Sequence, residues 1–150
     1  MQLLERTSFL ETLAQYGSDA SQGNGRLVLI SGESGMGKTV LIEAFQQRTA
    51  NARWLWGVCD GIRTPRPLGP LFDIGMQAGG ELAELCRRDA NRDQLFAAFL
   101  AEANANATLT VAVIEDVHWA DEATIDLLSV LGRRLGRMRA LLLQPTGTTS

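Results

Sequence analysis

Two kinds of apolar pattern alternate along the chain. Leu27–Ser31 and Leu109–Ile114 are short, continuous apolar runs. Such runs suit strands buried on both faces of a parallel sheet. Arg53–Val58 is a plausible further strand, and Arg139–Leu143 starts another. Between them, apolar residues recur at three- and four-residue spacing, which predicts helices. Leu3, Leu4, Phe9, Leu10 and Leu13 predict a helix over residues 2–16, followed by a loop from Gly17 to Gly25. Thr39–Arg48 reads as a helix with Leu41 and Phe45 inward. Pro65, Pro67, Pro70 and Gly69 exclude a regular element over residues 65–70. A short helix restarts at Leu71–Gln77 and is punctuated by Gly79 and Gly80. Glu81–Arg88 and Arg92–Ala103 read as two more helices, the second with a stripe of Leu95, Phe96, Phe99 and Leu100. Asp121 is a good N-cap for a helix from Glu122 to Leu135, with Ile125, Leu128 and Leu131 on its apolar stripe. Strands alternating with helices imply a parallel α/β sheet.

The stretch between the first strand and its helix carries the chemistry. Gly32-Glu33-Ser34-Gly35-Met36-Gly37-Lys38-Thr39 fits the phosphate-binding P-loop, or Walker A, pattern. Its glycines let the backbone curl so that successive N–H groups face phosphate oxygens. Lys38 adds a positive charge near the β and γ phosphates of ATP, and the Thr39 hydroxyl is suited to ligate Mg²⁺. The helix that follows, through Val40, presents its N-terminal dipole to the anion. The strand–turn–helix context separates this motif from a bare glycine-rich turn.

Hydrolysis needs acidic groups at the end of a neighbouring strand. Val111-Ala112-Val113-Ile114-Glu115-Asp116 has that form. Ligands of doubly wound sheets bind beyond the carboxyl ends of strands, so Glu115 and Asp116 are expected to face the P-loop. Glu115 is assigned to Mg²⁺ and Asp116 to the attacking water. The usual order of this pair is Asp then Glu, and here it is reversed.

Composition narrows the class. With 150 residues, 45% hydrophobic and 21% charged, the chain is expected to form one soluble globular domain. A net charge of −3 gives no overall electrostatic footprint for nucleic acid. No apolar stretch reaches membrane-span length and no secretory signal is visible, so a cytoplasmic location is expected. Cys59 and Cys86 lack metal or redox spacing and read as thiols. A single histidine, His118, leaves little scope for a histidine metal site and reads as packing beside Trp119, with contact to nucleotide or its γ-phosphate as the sharper alternative.

Val113-Ile114-Glu115-Asp116-Val117-His118-Trp119-Ala120-Asp121-Glu122-Ala123-Thr124 resembles the Walker B region of ATPase domains in large LuxR-type transcriptional regulators, which belong to the STAND class of AAA-like P-loop ATPases. Leu4-Glu5-Arg6 through Leu13 is similar to that family's N-terminal helix, whose start lies near the adenine, which places Arg6 among the nucleotide contacts. Trp56–Asp60 and Arg66–Ile74 match the segment after its second strand. The resemblance implies an ATP-driven switch that alters the packing of a following helical region and so controls an effector. It also implies self-association through the ATPase domain as a partnership to consider. In full-length members the effector is a DNA-binding helix-turn-helix, which has no counterpart in these residues, so DNA binding is not carried over.

Residues 1–143 therefore read as a partial STAND/AAA-type ATP-binding domain: a parallel-sheet, three-layer α/β/α P-loop NTPase core without its last strand and helical lid. Residues 144–150 depart from the family pattern. The string CA-ACC-TAC-CGG-GAC-GAC-GAG-C encodes a family-like Thr-Tyr-Arg-Asp-Asp-Glu. In the shifted frame it reads Gln144-Pro145-Thr146-Gly147-Thr148-Thr149-Ser150, so a frameshifted, truncated product, natural or from a sequencing error, is expected. The first strand would then be an unprotected sheet edge. Nucleotide binding is expected to be weakened and hydrolysis slow or absent. Alternative readings are a nucleotide-kinase-like phosphotransferase and an inactive fragment acting as an interaction module. Arg133 and Arg134 read as a solvated helix end, with action across a subunit interface as the sharper alternative. Asp60 and Arg66 are weaker candidates for support of the site from the loop after the second strand.

Overall fold

The apolar runs become four parallel strands: β1 (Arg26–Ile30), β2 (Arg53–Val58), β3 (Thr110–Glu115) and β4 (Ala140–Pro145). They form a sheet of order β1-β4-β3-β2. The computed structural model describes residues 3–30, 36–58, 69–88, 90–105, 108–115 and 122–145. Among the described residues six helices flank the sheet: α1 (Leu3–Ser21), α2 (Met36–Arg48), α3 (Gly69–Ala78), α4 (Gly80–Arg87), α5 (Arg92–Ala105) and α6 (Glu122–Arg134). A 3-10 turn, Leu135–Arg137, follows α6.

Strand alternation divides the core into two layers. Val111, Val113, Leu141 and Leu143 face α1 and α2, where they meet Leu10, Leu13, Leu41, Ile42 and Phe45. Ala112, Ile114, Ala140 and Leu142 face the opposite layer, which is filled from α3, α4, α5 and α6. The result is a three-layer α/β/α arrangement. The central strands β3 and β4 are buried along nearly their whole length, as continuous apolar runs require.

Some sequence expectations need correction. The helix α1 runs to Ser21 and replaces most of the loop expected from Gly17. Gly17 is buried in that helix, and a Cβ there would lie 3.3 Å from Phe45 Cζ, so the glycine serves helix–helix approach and not a turn. The helix α3 begins at Gly69 with Pro70 in its first turn, where the missing N–H costs no helical bond. On α6 the buried stripe is Leu127, Leu128, Leu131, while Ile125 is 51% exposed. The expected glycine punctuation holds: Gly79 and Gly80 have φ of 72° and 63°, a left-handed turn that β-carbons resist. A reciprocal cap starts α5. Gln94 N–H donates to Asn91 Oδ1 at 2.9 Å, and Asn91 N–H donates to Gln94 Oε1 at 3.2 Å.

The two sheet edges differ. Along β2, the Gln77 amide of α3 satisfies the backbone of Trp56: its Oε1 accepts from Trp56 N–H at 2.9 Å, and its Nε2 donates to Trp56 C=O. Strand β1 is the edge that the sequence led one to expect: among the described residues it pairs only with β4, and it is half-covered where burial on both faces was expected. Leu29 is 60% exposed. Such an apolar edge is an association hazard. Leu29→Lys is expected to reduce concentration-dependent light scattering while changing stability by no more than about 0.5 kcal/mol in a denaturant melt.

Candidate functional site

Register brings the strand ends to one level. Val28 is opposite Leu143, Leu143 opposite Val113, and Val113 opposite Trp56. Two residues further on, Ile30 is opposite Pro145 and Val58 is opposite Glu115. The carboxyl ends of all four strands thus define one rim of the sheet. The chain leaves β1 at this rim and re-enters helix α2 at Met36, so Gly37, Lys38, Thr39 and Val40 occupy the first turns of α2. Lys38, Thr39 and Val40 are half-buried.

Glu115 is the last residue of β3 and is half-buried. Alternation places it on the same face as Val111 and Val113, the face covered by α2. Only β4 separates β3 from β1, so the two strand ends stand about 10 Å apart at ordinary strand spacing. The fold therefore brings Lys38, Thr39 and Glu115 to one rim and one side of the sheet. Arg6 lies in the first turns of α1. Gly32, Glu33, Ser34, Gly35 and Asp116 lie outside the described residues, as do Cys59, Asp60, Arg66, His118 and Trp119.

The α2 helix is held against the sheet from beneath. Phe45 is 1% exposed and meets Trp54 edge-on, with ring centroids 5.6 Å apart. Trp54 stacks in turn on Trp56, and its indole N–H donates to Thr49 C=O at the end of α2 at 3.1 Å. The cluster fixes the helix whose opposite end carries Lys38 and Thr39.

One residue at this rim escaped the sequence reading. The strand reading stopped at Leu143, and β4 continues through Gln144, which is opposite Leu29 and half-buried at this rim. Its signal was hidden because a polar residue followed by proline reads as the end of an apolar strand. Cys86 is a buried thiol in the layer formed by α3, α4, α5 and α6. Among the described residues no cluster of three or more His, Cys, Asp or Glu gathers to hold a metal. No described helix is long and apolar enough to cross a membrane.

A parallel three-layer α/β sheet with a Gly-Lys-Thr turn opening the helix after β1 defines a P-loop NTPase core of the AAA type. The chain belongs to the AAA ATPase domain family, which it matches over residues 2–143. Similar solved structures agree on the fold. One is Drosophila ORC bound to poly(dA/dT) DNA and Cdc6, with a TM-score of 0.56, 14% identity, and coverage of 96% of this chain and 25% of that one. Another is C. elegans PCH-2, with a TM-score of 0.55, 15% identity, and coverage of 97% of this chain and 38% of that one. The chain spans between a quarter and two fifths of these structures' chains. No curated protein matches the sequence.

Proposed function

We propose that this domain binds Mg-ATP and works as the nucleotide-dependent core of a STAND-type regulator of the LuxR group. The observation that carries the reading is the convergence of the α2 first turn and Glu115 at one rim of the sheet. Lys38 would neutralise the β and γ phosphates, and the α2 N-terminus would add its dipole. Arg6 would approach the base. A hydroxyl and a carboxylate are oxygen donors of the kind Mg²⁺ prefers, so Thr39 and Glu115 fit the metal's coordination sphere. Bound Mg²⁺ would screen phosphate charge. Asp116, next in sequence, would orient the attacking water. Self-association through the ATPase domain and coupling to an effector belong to the same reading. The regulator assignment is supported by the Glu115–Thr124 motif and its companions, and DNA is not proposed as a ligand of these residues.

The test is ATP binding and turnover with and without Mg²⁺. Glu115→Gln should bind ATP in EDTA as the parent does and lose the extra affinity that Mg²⁺ gives. Any phosphate release should fall by about 10²-fold. An unchanged Mg²⁺ response would remove Glu115 from the metal site. Phosphoryl transfer to an added nucleotide acceptor in place of phosphate release would assign the site to a kinase.

A further inference from the structure

The end of the sheet opposite the nucleotide rim carries a second polar site. Helices α5 and α6 both run from the strand-end rim towards the start of β3 and β4. Near their beginnings they are pinned together by Arg92 and Asp126, 2.8 Å apart. Near their ends the seam opens into a groove of about 680 Å³. Leu100, Ala101 and Met138 line it with apolar surface. Asn104, Arg133, Arg134 and Arg137 supply its polar groups.

Charge in this groove is unbalanced. Its three arginines are exposed, and none enters an ion pair among the described residues. The neighbouring acids are engaged elsewhere: Glu102 pairs with Arg53 of β2, and Asp126 pairs with Arg92. The sequence from Leu127 to Ser150 holds no Asp or Glu. In a chain of net charge −3, this concentrates uncompensated positive charge at one end. Three guanidinium groups present planar, bidentate donors that match carboxylates.

We propose that this groove docks an acidic amphipathic segment of a partner protein. Carboxylates of the segment pair with Arg133, Arg134 and Arg137, and its apolar side chains lie on Leu100, Ala101 and Met138. Charge complementarity selects this occupant. The apolar floor gives a peptide's apolar side chains a place that a sugar-phosphate backbone does not need. The acidic balance of the rest of the chain disfavours an extended nucleic acid. The site stands at the pole opposite Lys38, so it is independent of the nucleotide reading.

Fluorescence polarisation on the 150-residue chain tests this, using a fluorescein-labelled peptide with leucines at helical spacing and glutamates between them. Binding should weaken with added salt and fall roughly 10- to 100-fold in the triple variant Arg133→Glu, Arg134→Glu, Arg137→Glu. The same charge change at Arg48, Arg87 and Arg88 should leave it unaltered, as should Lys38→Ala. Circular dichroism verifies the fold of each variant. If the triple variant does not fold, Arg137→Gln alone should weaken binding about threefold. Absence of binding, equal binding by the groove variants, equal binding of a peptide with glutamine for glutamate, or tighter binding of oligo-thymidylate through the same arginines would each overturn the proposal.

Discussion

Lys38→Ala is expected to abolish the rise in melting temperature that Mg-ATP produces in the parent chain. A ligand at a hundred times its dissociation constant stabilises the native state by about 2.7 kcal/mol. For a domain of this size that corresponds to a shift of about 5 to 10 °C. Lys38 sits in the first turn of α2 and is half-buried, so alanine there removes the cation and leaves a good helix former in a surface turn. Measured against its own melting temperature without nucleotide, the variant should show no shift with it. Differential scanning fluorimetry across an ATP titration checks this. A shift that survives in the variant would mean that ATP stabilises the chain at another place, and the assignment of the α2 rim as the phosphate site would fall.

The sequence was most informative where one physical requirement dominated. A strand covered on both faces needs an unbroken apolar run, and Val111–Ile114 and Ala140–Leu143 are buried as such runs demand. The same logic misplaced Leu27–Ile30, because hydrophobicity states what a strand can bury and not whether neighbours are there to cover it. The place of β1 at the sheet edge was expected on a separate ground, the absence of the fifth strand of the family pattern, and the strand order agrees with it. Glycine misled in a similar way at Gly17. In sequence it opens a polar, glycine-rich stretch, and in space it admits the Phe45 ring against α1. Ile125 belongs to a run whose helical phase depends on where α6 starts, and a small error in phase exchanges an outward residue for Leu127. The candidate site was legible because phosphate chemistry constrains local spacing, and Lys38, Thr39 and Glu115 reach one rim as that spacing implies. The groove between α5 and α6 was legible only in part. Arg133 and Arg134 stood out as a basic helix end, but Arg137 joins them through the 3-10 turn, and Leu100 and Asn104 come from a helix with no sequence link to them.

Phe45→Ala is expected to be the most damaging single truncation in the α1–α2 layer. Phe45 is among the largest fully buried side chains, and its ring touches the sites of Gly17 and Trp54. Removing a buried phenylalanine costs about 3–5 kcal/mol, from lost transfer energy and the cavity left behind. A chain of this length has about 5–15 kcal/mol of stability in all, so the variant should sit close to its unfolding threshold. Urea denaturation followed by tryptophan fluorescence gives a direct reading, because Trp54 lies against the truncated ring. The midpoint should fall sharply with little change in slope. The damage should also reach the nucleotide rim, since the same helix carries Lys38 and Thr39. Unlike Lys38→Ala, however, the folded fraction of Phe45→Ala should still respond to Mg-ATP, because the phosphate-binding groups remain. Saturating nucleotide should recover part of the lost midpoint. A stable Phe45→Ala chain, with a midpoint near the parent's, would show that α1 and α2 do not form the packed layer on which the site rests.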